Sequence, residues 1–207
     1  MKADSNPRFW LLAGGGLLVG LVLTAVLLIV RPFGPPNFHG TVFQSSQPAQ
    51  NFSLTAHTGD RVNLHDFQGK VVLLYFGYAY CPDVCPATMG ELARAVRALR
   101  PSQQEQVQVI MVTVDPERDT RELLADYMGY FHPTFLGLTG SEEEIAAAAM
   151  PLGIYYEKEE GTIQSGYLVN HTASVLVLDK RGYLRIVYPF GTTGEDVASD
   201  LRYLVRE

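Results

Sequence analysis

The run VVLLYFGY, residues 71–78, carries no charge and is rich in β-branched and aromatic side chains. Gly69 precedes it and prolines follow it, so it reads as a central strand buried on both faces. Directly after it, CPATMGELARAVRAL changes to helical spacing, with Met89, Leu92, Val96 and Leu99 on one face. A strand of this kind that feeds straight into an amphipathic helix constrains the domain to an α/β class.

The remaining segments agree. NFSLTAHTGDRVNLHDFQGK reads as two short strands around Thr58-Gly59-Asp60. VQVIMVTVD (107–115) is a second buried strand, and RDTRELLADYMGYF a second helix, with Asp119 or Thr120 as cap and Glu122 in its first turn. TFLGL is a short strand, and SEEEIAAAAM a helix with a capping-box start at Ser141. A hairpin-like stretch, IYYEKEEGTIQSGYLV, follows. TASVLVLDKRGYLRIVYPF reads as two strands around Asp179–Gly182, and TGEDVASDLRYLVRE as a closing helix capped by Thr193. The expected architecture is an α/β sandwich with a mixed central sheet. A cysteine motif at the C-terminal end of the first βαβ strand points to the thioredoxin-like class.

An appendage precedes this domain. Phe9 to Val30 is a stretch of 22 residues without a charge, roughly 33 Å as a helix, enough to cross a hydrocarbon core. It is longer than the apolar region of a secretory signal and is followed by RPFGPPNF rather than small residues, so an uncleaved transmembrane helix is expected at 9–30. The short tail 1–8 carries Lys2 and Arg8 and is expected on the cytoplasmic side. Residues 31–48, rich in Pro, Gly and Ser, read as a linker, and 49–207 as the domain, held outside the cell membrane on the periplasmic side. Gly16 and Gly20 form one GxxxG, a possible helix-pairing face. The net charge is −6; residues 1–31 hold three cations and one carboxylate, a charge of +2, which leaves −8 for the remainder. That balance excludes a basic nucleic-acid footprint.

Both cysteines of the chain, Cys81 and Cys85, lie in YCPDVCPAT. Residues four apart on a helix share a face. If both lie on the first turns of the helix, their sulfurs converge, at a spacing that suits either a disulfide or a shared ion. Pro82 suits the first helical position, and Cys81 would then feel the positive end of the helix dipole, which favours a thiolate. An inert disulfide would close a loop with only three intervening residues and constrain the unfolded chain little. Of the five histidines, His39, His57, His65 and His132 read as solvated or capping residues. His171 stands before an apolar strand and can reach the sheet end that carries Cys81. Met89, four residues beyond Cys85, offers a soft sulfur but also fits the core.

LLYFGYAYCPDVCPATMGEL, VTVDPERDT and NHTASVLVLDKRGYL together resemble the SCO/SenC family of copper proteins, over about residues 48–206. The resemblance implies a protein that assists assembly of the binuclear copper centre of cytochrome c oxidase. Its partners would be the oxidase subunit that carries that centre and, as a further candidate, another copper chaperone. It implies copper as the bound ion, with Cys81, Cys85 and His171 as the metal ligands, and supporting or docking roles for Asp83 and Asp115. Asn170 departs from the family, where an acidic residue is common. The donor chemistry agrees: thiolates select Cu(I), and imidazole suits copper in either oxidation state, so Cu(I) and Cu(II) both stay open. Zinc is the rival by ligand type, though structural zinc normally takes four protein ligands.

Two other functions use the same cysteines. A thiol–disulfide reductase would use Cys81 and Cys85 as its redox pair, on the oxidase subunit's own cysteines. Such an enzyme is expected to have two-residue spacing and a proline facing the motif; here three residues intervene, and no proline occurs between Leu152 and Tyr188. A peroxidase of the peroxiredoxin kind expects threonine where Tyr78 stands. The metal-binding, non-enzymatic reading is therefore the expectation.

Overall fold

A computed structural model describes residues 16–26, 37–160 and 166–207. The chain divides into two units, residues 1–37 and 38–207. In the first, residues 16–26 are helical, and Thr24 donates its hydroxyl to the Gly20 carbonyl, 2.8 Å away. This helix lies inside the stretch read as an anchor. Among the described residues no helix is long and apolar enough to cross a membrane; the rest of 9–30, and the tail 1–8, lie outside the described residues.

The second unit is built on an eight-stranded sheet. Its strands are β1 (Thr41–Val42), β2 (Ser53–Ala56), β3 (Arg61–Asn63), β4 (Val71–Gly77), β5 (Val107–Thr113), β6 (Leu136–Thr139), β9 (Val175–Leu178) and β10 (Leu184–Tyr188). They lie in the order β1-β10-β9-β4-β5-β6-β2-β3. The pairs β4–β5 and β5–β6 are parallel and the others antiparallel, so the sheet is mixed, as expected. Every residue of β4 is buried, which requires cover on both faces. The first strand lies within the stretch read as linker. There, Thr41 and Val42 pair with Val187 and Ile186, and a Cβ on Gly40 would fall 2.6 Å from the Ile186 side chain. Glycine thus lets the incoming chain lie flat on β10.

Five helices complete the unit: α1 (Val84–Arg97), α2 (Pro101–Gln104), α3 (Arg121–Phe131), α4 (Glu142–Ala149) and α5 (Gly194–Leu204). Met89, Leu92 and Val96 form the buried stripe of α1, which packs against α5. Of the two caps considered for α3, Thr120 takes the role, accepting the Leu123 N–H; Asp119 is left free for another one. Ser141 and Glu144 form the capping box of α4, and Thr193 caps α5. A separate antiparallel ribbon, β7 (Tyr156–Glu160) and β8 (Tyr167–His171), pairs Tyr156 with His171.

This topology gathers one end of the sheet. Parallel β4 and β5 finish side by side, Gly77 opposite Thr113, so the loops that leave them are neighbours. Antiparallel β9 starts at the same end, with Val175 opposite Tyr75. The cysteine loop, the DPERDT loop and the residues before Val175 therefore meet there.

Candidate metal centre

The helix begins at Val84, close to where the change to helical spacing places it, but Cys81 does not reach its first turn. Asp83 is the N-cap of α1, so Cys81 and Pro82 precede the helix rather than opening it. Asp83 makes no side-chain cap bond. The Cys81 sulfur does part of that work, accepting the backbone N–H of Cys85 at 3.4 Å. The predicted effect of the helix end on Cys81 thus survives by another route: the sulfur sits over the first free N–H groups instead of inside the first turn.

Cys85 is fully buried on α1 and Cys81 is partly exposed; both are free thiols. Gly77 makes room for them. A Cβ there would lie 3.0 Å from Cys85 Sγ and 2.6 Å from the Tyr75 ring. The Tyr75 hydroxyl donates to Cys85 Sγ at 3.5 Å. Cys85 and Cys81 also hydrogen-bond one another. That bond is the main cause of the lowered pKa of Cys81, to about 3, with the ring of His171 assisting. The same bond, together with burial, pushes the Cys85 thiol up. The outer sulfur is thus the one that favours the thiolate and the inner one the thiol.

His171 ends β8. Its Nε2 lies 3.3 Å from Cys85 Sγ, and its Nδ1 is 3.3 Å from the Thr172 carbonyl. The tautomer with Nδ1–H donating to that carbonyl turns the Nε2 lone pair toward the sulfurs. The rings of Tyr75 and Tyr78 stand edge-on to the imidazole, with centroids 5.8 and 5.9 Å away. The donor atoms of Cys81, Cys85 and His171 all lie within 4.8 Å of one another. A three-coordinate ion with bonds of about 2.0–2.3 Å, as metal–imidazole and metal–thiolate bonds measure with zinc, needs donors about 3.5–4 Å apart. Small side-chain shifts suffice, so the donor set fits a soft monovalent ion in size and in chemistry.

The other residues singled out from sequence fall elsewhere. Met89 is fully buried in the core. His39 bonds Asp200, His57 accepts the Gly137 N–H, His65 meets the Ala49 carbonyl, and His132 pairs with Thr134. Asp115 is fully buried and takes Arg118 as its ion-pair partner. Sequence reasoning passed over Arg118, Asp119 and Tyr167. Asp119 accepts the Ala79 N–H at 2.9 Å and the Thr113 hydroxyl at 2.7 Å, and burial raises its pKa to about 6. The only signal for Arg118 and Asp119 was the DPERDT block itself, whose fourth charged residue, Asp119, looked like a helix cap; nothing in the sequence marked Tyr167.

Known proteins share this fold. The SCO1/SenC family profile matches residues 42–206. The SCO2 homolog of Mus musculus mitochondria is 36% identical over 153 residues, 73% of this chain and 60% of that protein. The match thus spans about three fifths of the length of the SCO2 homologs of Mus musculus and Bos taurus. The apo Sco1 protein from Thermus thermophilus superposes with a TM-score of 0.73 at 44% identity, over 81% of this chain and 97% of that one. ScoI of Bradyrhizobium japonicum, solved with copper bound, gives 0.70 at 33% identity, over 76% and 99%. The match over nearly the whole second unit, with the cysteine loop and His171 inside it, establishes that the chain belongs to the SCO1/SenC family.

Proposed function

We propose that this protein binds copper through Cys81, Cys85 and His171 and delivers it to the copper-site subunit of cytochrome c oxidase, or helps assemble the binuclear centre there. The convergence of two sulfurs and one imidazole nitrogen within 4.8 Å carries the reading. The copper-bound relative from Bradyrhizobium japonicum supports it. Two thiolates and an imidazole prefer Cu(I), and three-coordination leaves room for an acceptor's donor to enter during transfer. In this reading residues 9–30 anchor the chain in the cell membrane, and the copper-binding domain works on the periplasmic side; the charge-free stretch and the positive tail support that placement.

One observation favours a second reading. The pKa of Cys81 is lowered and that of Cys85 beside it raised, the pattern of an attacking and a resolving thiol. A thiol–disulfide reductase for the oxidase subunit would use the same pair.

Competition for Cu(I) against a coloured chelator separates the two, using the reduced full-length protein and His171→Ala. Copper binding is expected at about one ion per chain, with loss of one of three ligands weakening affinity on the order of 100-fold. Thiol exchange with a disulfide substrate that proceeds equally well in His171→Ala, together with copper affinity that ignores the substitution, would leave the reductase reading standing.

A further inference from the structure

The two cysteines and the histidine ride on different parts of the fold. Cys81 and Cys85 belong to the loop and helix that follow β4. His171 is the last residue of the β7–β8 ribbon, which lies outside the main sheet. Something has to hold the ribbon against the thiols.

The DPERDT loop touches both. Toward the cysteines, Asp119 accepts the N–H of Ala79, two residues before Cys81, and the Arg118 guanidinium stacks over the Tyr80 ring at 5.3 Å. Toward the ribbon, Arg118 donates through Nη1 to the Tyr167 carbonyl at 3.0 Å, and its guanidinium lies 3.7 Å from the centre of the Tyr167 ring. Tyr167 in turn donates its hydroxyl to Asp115 at 2.6 Å, and Asp115 is the buried carboxylate that pairs with Arg118. Lys158 of β7 adds a contact to Glu117, 3.0 Å away. Four consecutive charged side chains of the loop, counting past Pro116, are thus spent on neighbours on either side of the candidate centre.

A guanidinium is needed for this. Its planar fork can serve a carboxylate, a carbonyl and an aromatic face at once, which the single ammonium of lysine cannot. The pair is also buried at the carboxylate end, so loss of the cation would leave a charge without compensation.

We infer that Arg118, held by Asp115 and seated on Tyr167, is a positioning residue: it brackets the β7–β8 ribbon to the cysteine loop and so presents His171 to the sulfurs. This rests on the copper reading above only for its affinity readout. The described contacts of Arg118 are to Asp115, Tyr78, Tyr80 and Tyr167, not to the proposed ligands, so it acts through the placement of His171.

Two variants test the bracket in the full-length protein. Arg118→Lys keeps a cation beside Asp115 but loses the second arm; it is expected to weaken Cu(I) binding about tenfold, the cost of a charge-assisted hydrogen bond. Tyr167→Phe removes one hydroxyl and is expected to cost about threefold. In the His171→Ala background neither substitution has a further effect, since the residue acted upon is gone. Equal losses in both backgrounds would mean a general structural role and overturn the inference. Amide exchange on the metal-free protein gives an independent reading: Arg118→Lys is expected to lower protection of the β8 amides about tenfold and to leave those of α1 unchanged. Unchanged β8 protection would overturn the inference as well. If the wild-type protein binds copper without help from His171, the copper reading fails, and the exchange result still decides the bracket.

Discussion

Gly77→Ala tests how closely the candidate centre is packed. Gly77 closes β4, and its backbone needs no special φ, so an alanine there meets only steric opposition. The new methyl would lie 2.6 Å from Tyr75 Cε1 and 3.0 Å from Cys85 Sγ. Carbon atoms in contact prefer about 3.5–4.0 Å, so the ring must retreat by about 1 Å. Tyr75 has nowhere to go, being fully buried with its hydroxyl on Cys85. Overpacking of this kind costs about 1–3 kcal/mol, and in a chain of this size each kcal/mol lowers the melting temperature by about 2–4 °C. A central cost of about 2 kcal/mol gives a drop of about 4–8 °C. Thermal unfolding followed by circular dichroism in reducing buffer measures it. Tyr75→Leu opens space at the point of collision, so the double variant is expected to cost less than the two single ones together. A Gly77→Ala melt within about 1 °C of wild type, or strict additivity with Tyr75→Leu, would refute the packing argument.

The thiolate character of Cys81, whose pKa is lowered to about 3 chiefly by the Cys85 hydrogen bond, predicts alkylation by iodoacetamide at a rate nearly flat between about pH 5 and 8. A rate that climbs about tenfold per pH unit, as for an ordinary thiol, would contradict it. Burial raises Asp119 to about 6, so the stability it lends is full below its unfolded value and is lost as pH rises through about 6. Asp119→Asn escapes that loss, and urea unfolding is expected to show its advantage over wild type growing by up to about 3 kcal/mol between about pH 4 and 7. A gap independent of pH would refute the assignment. The His39 pKa is raised, first by its hydrogen bond to Asp200 and opposed by desolvation. The grip of residues 38–43 on the sheet should therefore be full below the unfolded histidine value and fade as pH rises through the raised one. Protection of the β1 amides should follow that course in wild type and not in His39→Gln.

The hydrophobic pattern carried most of the fold. The unbroken run at 71–78, the helical stripe after it and the caps Ser141 and Thr193 each appear where the residues place them. What the pattern missed has local causes. Pro82 suits a first helical position and so allows Cys81 into the first turn of α1, yet both residues precede the N-cap Asp83. The pairing of Thr41 with Val187 joins residues nearly 150 positions apart, and a two-residue strand among prolines and serines has no period to read. At the candidate centre the cysteines stood out by chemistry, whereas the position of His171 before an apolar strand only made it a candidate, and its assignment as a ligand came from the family resemblance. Arg118 and Tyr167 were illegible for a related reason: an arginine in a charged loop looks solvated until the fold buries its partner Asp115.

The division of the donors between the helix of the main unit and an outlying two-stranded ribbon has a kinetic corollary. The sulfurs belong to the loop and helix that follow the buried strand β4, and the imidazole to a ribbon outside the main sheet. On the delivery reading proposed above, an incoming protein donor would displace the nitrogen first and the sulfurs last, and the cargo would leave by ordered exchange, never wholly uncoordinated on the way.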